Sequence, residues 1–205
     1  DIRLNQLLRV YIDGIPVDLA SSLLPRRSYL KTGLLFHIHA HARTQHSYSD
    51  KKVTTKKQKS FSKISFQGLI DNLEETVRSL TWKPGGTEWG EYYTEGILNK
   101  EYLEEKKHLV EKFINEIKPS SVWDMGGNTG EFSRIASAKG IPTVSFDIDP
   151  VCVERNYLEA KKNKETAILP LLLDLTNPSP STGWENKERH SIIERSNADL
   201  VLALA

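Results

Sequence analysis

A single cysteine, Cys152, among 205 residues excludes an intramolecular disulfide and suits a reducing compartment. Neither sign of charge is in excess. With 28 Lys and Arg against 27 Asp and Glu, the net charge of +1 gives no overall field toward nucleic acid or an anionic membrane, so such a partner would need a local patch. No apolar run approaches the roughly 20 residues that span a bilayer, and the N-terminus lacks the basic, apolar and small-residue order of a secretion signal. These absences point to a cytoplasmic protein with no membrane partner. No internal repeat occurs. The chain opens at Asp1 without a methionine and stops at Ala205 inside the apolar run Asp199-Leu-Val-Leu-Ala-Leu-Ala205. Further carboxy-terminal strands are therefore expected, and the 205-residue piece is expected to be less stable than a complete chain.

What is present divides into three stretches. Residues 1–64 are expected to form a mainly helical N-terminal extension with a Lys-rich linker. Leu4, Leu7 and Leu8 have helical spacing there, while Val10-Tyr-Ile12 and Ile15-Pro-Val17 flank an Asp13-Gly14 turn signal that would suit a hairpin. Its end is a solvated linker: six lysines and no acid lie between Lys51 and Lys63. Residues 65–118 form a helical segment leading into the core. Phe66, Leu69, Ile70, Leu73, Val77 and Leu80 make one apolar stripe over 66–80, and Val110, Phe113, Ile114 and Ile117 mark a second helix over 101–118, stopped by Pro119.

From 119 to 205 short apolar runs alternate with helical segments, the pattern of an α/β fold with an open, mainly parallel sheet. Strands are expected at 121–125, 143–146, 168–173 and 199–204, and helices at 130–139, 150–163 and 185–195. Asp149 and Pro150 supply the N-cap and first position of the second of these helices.

The first strand runs into Asp124-Met-Gly-Gly-Asn-Thr-Gly130. A loop of small residues between a parallel strand and a helix lets the backbone approach a ligand beside free helix N–H groups. Its small positions, Gly126, Asn128 and Gly130 after Asp124, do not fit the Gly-x-Gly-x-x-Gly dinucleotide fingerprint. The pattern resembles instead the first motif of the class I, Rossmann-like S-adenosylmethionine-dependent methyltransferases, with Asn128 in place of the commonest glycine. Asn is the next most tolerant residue for left-handed backbone. The resemblance covers about 101–205.

That resemblance implies S-adenosyl-L-methionine as cofactor, held by Asp124, Gly126, Gly127, Asn128 and Gly130 of the loop. It implies Asp147, with Ile148 beside it, as the ribose ligand at the end of the second strand. It places Asp174 against the adenine amino group, the Leu175 backbone N–H against a ring nitrogen, and Leu204, at the end of the fourth strand, near the transferred methyl. Aromatic residues preceding the first helix of similar enzymes often fold over the cofactor, which singles out Trp89 and Tyr92 of Thr87-Glu-Trp-Gly-Glu-Tyr-Tyr93; packing against the core is the alternative. No catalytic residue is identified.

Other signals carry less. Phe36-His-Ile-His-Ala-His41 holds three possible ligands, but no local carboxylate or cysteine joins them and methyl transfer from a sulfonium needs no metal, so none is assigned. Asn177-Pro-Ser-Pro180 lacks the adjacent prolines and aromatic residue of amino-group methyltransferase loops and follows the third strand, which makes it a rigid connection. Cys152 is assigned to packing. The acceptor is a small molecule, a protein or an RNA, with nucleic acid not favoured. The alternatives are a nicotinamide-dependent Rossmann oxidoreductase and a noncatalytic cofactor-binding module.

Overall fold

The computed structural model describes residues 4–48, 62–83, 85–87, 89, 100–195 and 197–204. Two compact units divide between Trp82 and Lys83. The helix expected over 66–80 thus lies in the first unit.

The first unit is helical: α1 (Leu4–Val10), α2 (Val17–Leu23), a 3-10 turn (Arg26–Leu30), α3 (Thr32–Leu34), a π-helical turn (Leu35–Ala40), α4 (His41–Tyr48) and α5 (Lys63–Ser79). The turn at Asp13-Gly14 forms, with Gly14 at φ +108°, but it joins α1 to α2 rather than the strands of a hairpin. Helical spacing decides here: Tyr11 N–H reaches back to the Leu7 carbonyl at 2.9 Å, and the Pro16 carbonyl accepts from Ala20 at 2.9 Å. The π-turn carries His37 and His39, His41 opens α4, and only the His39 imidazole is buried. His39 stacks on Tyr29 at 3.7 Å and bonds Ser21 through Nδ1 (2.8 Å) and Ser28 through Nε2 (2.7 Å). Because the Ser28 hydroxyl already donates to the Pro25 carbonyl, His39 Nε2 is the donor of that pair. His37 is half-buried and bonds Asn72 of α5 at 2.9 Å. α5 is capped by Ser62, whose hydroxyl accepts from Ser65 N–H, and the helix has no buried residue.

The second unit is a Rossmann-like α/β sheet. Its elements are α6 (Lys100–Ile117), β1 (Val122–Met125), α7 (Ser133–Ser137), β2 (Thr143–Asp147), α8 (Pro150–Asn163), β3 (Ile168–Leu172), α9 (Ile192–Arg195) and β4 (Leu200–Ala203). All pairs are parallel in the order β3-β2-β1-β4, with Val122 in register with both Thr143 and Leu200, and Thr143 with Ile168. The chain adds strands outward from β1 to β3, then returns to the far side of β1, so strand order reverses at β1.

The core forms on one face of this sheet. Val110 and Ile114 of α6, Phe132 and Ala136 around α7, Val122 of β1 and Leu202 of β4 make one buried cluster. Truncating Ile114 to Ala there would cost about 2–5 kcal/mol. α6 ends where Lys118 turns left-handed (φ 50°) ahead of Pro119. α8 buries Cys152, Asn156 and Ala160, one residue per turn, against β2 and β3. On the opposite face Leu169, Leu171 and Val201 stay 53%, 38% and 51% exposed, although purely parallel sheets are ordinarily covered on both sides.

The helix expected over 185–195 does not form as one element. Glu185 and Asn186 take left-handed φ of 51° and 57°, and Thr182 pairs with Arg189 in an antiparallel bridge. Only α9 is helical beyond that loop, started by a capping box in which Ser191 N–H donates to Glu194 Oε2 (2.8 Å) and Glu194 N–H to Ser191 Oγ (3.3 Å). α7 is likewise shorter than the expected 130–139. Among the described residues no helix is long and apolar enough to cross a membrane.

Candidate functional site

A cavity of about 330 Å³ opens at the carboxyl edge of the sheet, lined by Trp89, Gly126, Asn128, Phe146, Asp147, Ile148, Leu173, Asp174, Leu175, Thr176 and Leu204. The ends of all four strands contribute, as open α/β sheets place their ligands. Eight of the residues expected from sequence therefore meet on one wall.

The loop after β1 is built from its backbone outward. Gly126 and Gly127 N–H groups both donate to the Phe146 carbonyl, at 2.8 and 2.9 Å, which pins the loop to the end of β2. Gly126 has φ +80°, and a Cβ added there would meet nothing within 4 Å, so its missing side chain leaves room on the cavity side. Gly130, at φ +87°, is different. A Cβ there would stand 2.5 Å from the Asn156 amide and 2.6 Å from the Arg134 guanidinium. Arg134 holds this bend by donating to the Thr129 carbonyl at 2.6 Å and to Glu165 at 3.1 Å.

Asp124, Gly127 and Gly130 do not line the cavity; they lie behind it. Asp124 is 2% exposed and accepts from Ser133 Oγ at 2.5 Å. Burial raises its carboxyl above the usual range; the Ser133 bond opposes this, and the neighbouring charge of Asp147 adds to it. A Cβ at Gly127 would run into Ser145 Oγ and come within 3.1 Å of the Asp124 carboxylate, so this glycine exists for packing. Tyr92 lies outside the described residues.

Asp147 does double work at the cavity wall. Its Oδ2 accepts from Asn128 N–H and its Oδ1 from Asp149 N–H, both at 2.8 Å, which fixes the carboxylate at the strand end. A carboxylate has about four lone-pair directions, so these two bonds leave acceptor capacity on both oxygens. Asp149 faces away from the cavity and caps α8: its Oδ1 accepts from Val151 N–H at 2.8 Å, and Thr87 Oγ1 donates to its Oδ2 at 2.5 Å. Asp174 forms a turn with Thr176, whose N–H and hydroxyl donate to its Oδ1 at 2.9 and 2.6 Å. The sequence offered that turn as an Asp followed two residues later by Thr, a signal the reading of 174–175 did not use. Phe146 and Leu173 were not singled out either; both sit at strand ends, where apolar residues read as core.

Asn128 completes the wall. It has φ 48° and is 8% exposed; its Nδ2 donates to the Trp89 carbonyl at 2.9 Å, while its buried Oδ1 has no partner among the described residues. Cys152, beneath the edge, is pushed up to about 12 by burial, with the Asp149 charge adding to the effect. It is a buried thiol, not a nucleophile.

No protein-family model matches the chain. The nodulation protein NoeA of Rhizobium meliloti (strain 1021) is 30% identical over 210 residues, which include all of this chain and 44% of that protein. The chain thus spans less than half the length of the curated relative it matches. Among solved structures, coclaurine N-methyltransferase bound to N-methylheliamine and SAH is 15% identical with a TM-score of 0.34, over 85% of this chain and 49% of that one. The bifunctional kinase-methyltransferase WbdD is 20% identical with a TM-score of 0.31, over 46% of this chain and 22% of that one.

Proposed function

We propose that the second unit binds S-adenosylmethionine at the carboxyl edge of its sheet and positions it for methyl transfer to an acceptor. One observation carries this assignment: Asp147 and Asp174, from the ends of neighbouring strands, stand on the wall of one cavity together with side-chain-free Gly126. The residues fit the group. Asp147 keeps acceptor capacity for two ribose hydroxyls, Asp174 offers a carboxylate to the adenine amino group, and Ile148 and Leu175 give apolar surface for the adenine ring. Gly126 leaves the space that the methionine portion requires.

Loop spacing separates this from a nicotinamide dinucleotide: the small positions after β1 do not fit Gly-x-Gly-x-x-Gly. Among the described residues the lining includes two acids and no Lys or Arg, which suits a cationic sulfonium. Bound there, S-adenosylmethionine supplies an electrophilic methyl group. The protein's own contribution is alignment: the loop bonds of Gly126, Gly127 and Asn128 hold the wall rigid, and the apolar side chains of Phe146, Leu173 and Leu204 exclude water. Among the described residues the lining contains no His, Cys or Lys, and the acceptor's proton is assigned to none of them.

Titration calorimetry with S-adenosylhomocysteine and with NAD tests the assignment. Binding of the first and not the second is expected; preference for NAD would sink it. Incubation with labelled S-adenosylmethionine and small-molecule, protein and RNA acceptors then looks for turnover, and binding without turnover across all three would mark a noncatalytic module.

A further inference from the structure

Resting on the assignment of this cavity to the cofactor, we propose that Asn128 is a positioning residue whose side-chain amide latches the Trp89 segment to the loop after β1. The Asn128 Nδ2 donates to the Trp89 carbonyl across 39 positions of sequence, and Trp89 forms part of the cavity wall. Residue type follows from the demands of the position. The φ of 48° restricts it to Gly, Asn or Asp in routine use. Glycine has nothing to hold the carbonyl with, and aspartate would set a negative oxygen against it. Only asparagine combines the backbone with a donor.

The amide is not needed to shape the loop. That is done by the Asn128 backbone N–H, which donates to Asp147 Oδ2 at 2.8 Å. Nor is its orientation a local convenience: Oδ1 is buried without a partner among the described residues, a cost that the bond at the opposite end of the amide offsets. The bond to Trp89 is what holds it. A second tie, Thr87 Oγ1 to Asp149 Oδ2 at 2.5 Å, anchors the same segment two residues earlier to the start of α8. The half-exposed Trp89 indole is thereby kept at the rim, where it slows departure of a bound ligand.

The test uses 5-fluorotryptophan-labelled protein, whose four Trp residues give separate fluorine resonances, with Trp89 assigned by Trp89→Phe. In Asn128→Gly and Asn128→Asp, with no ligand present, the Trp89 resonance is expected to shift and narrow while those of Trp82, Trp123 and Trp184 stay in place. S-adenosylhomocysteine should then dissociate about tenfold faster with little change in association rate. An unmoved Trp89 resonance in folded Asn128→Gly, a variant suited to the left-handed backbone, overturns the latch. If wild-type protein fails to bind S-adenosylhomocysteine, the cofactor assignment falls, yet the unliganded Trp89 resonance still decides whether Asn128 holds the segment.

Discussion

Asp149 donates its backbone N–H to Asp147 Oδ1 at 2.8 Å, yet the two carboxylates turn to different tasks, one on the cavity wall and one capping α8. Asp147→Asn should weaken S-adenosylhomocysteine binding by about ten- to a hundredfold, the equivalent of 1.5–3 kcal/mol for hydrogen bonds to a charged group. Asp147→Ala is a poorer probe, because it also strips the acceptor from the Asn128 and Asp149 N–H groups and should cost stability as well. Asp149→Ala should cost about 1 kcal/mol of folding stability through the lost cap and should weaken affinity less than Asp147→Asn does, because it releases only the Thr87 tie while Asn128 still holds Trp89. Calorimetry and denaturant midpoints on each variant check this, and the opposite pattern would move the ribose contact to Asp149.

Two adjacent glycines should respond differently to a side chain. Gly126→Val fills open space on the cavity side and strains φ +80°, so it should abolish cofactor binding in a chain that keeps its helical first unit. Gly127→Ala drives a methyl group into Ser145 Oγ and should destabilise by about 1–3 kcal/mol through overpacking. Adding Ser145→Ala should recover part of that loss. Unchanged affinity in folded Gly126→Val would show that the loop does not bound the ligand.

Glu194 sits at about 2, held down by hydrogen bonds from Ser181 and Ser191. A depressed carboxylate stabilises the fold above its unfolded pKa, near the ordinary 4.5, and that contribution disappears as pH falls through about 2. The 181–195 loop should therefore loosen on acidification across this window in wild type, whereas Glu194→Gln should show the loosened state already at pH 7. Amide exchange of Ser191 and Glu194 measured against pH distinguishes the two.

Cys152 should be silent toward thiol reagents in the native protein. Burial keeps it protonated to about pH 12, so iodoacetamide at pH 8 should react only as the chain opens. Its labelling should rise with denaturant along the global unfolding curve; rapid labelling of folded protein would contradict the packing of α8 on β2 and β3.

Local signals made much of this protein legible from its amino acids. The strands at 122–125, 143–147, 168–172 and 200–203, the Asp149-Pro150 start of α8 and the loop at 124–130 all rest on periodicity or turn chemistry within a few residues. The resemblance to methyltransferase motifs named eight residues that line the cavity, and they meet there because strand ends in a parallel sheet share one edge. Tertiary structure alone decided what those residues do. It turned Asp124 inward to Ser133 while leaving Asp147 at the wall, placed His39 rather than His37 among Ser21, Ser28 and Tyr29, and broke the expected 185–195 helix with the Thr182–Arg189 bridge. It also joined Asn128 to Trp89. Each of these outcomes depends on which polar groups find partners once water is excluded, and those partners lie too far along the chain for local spacing to show.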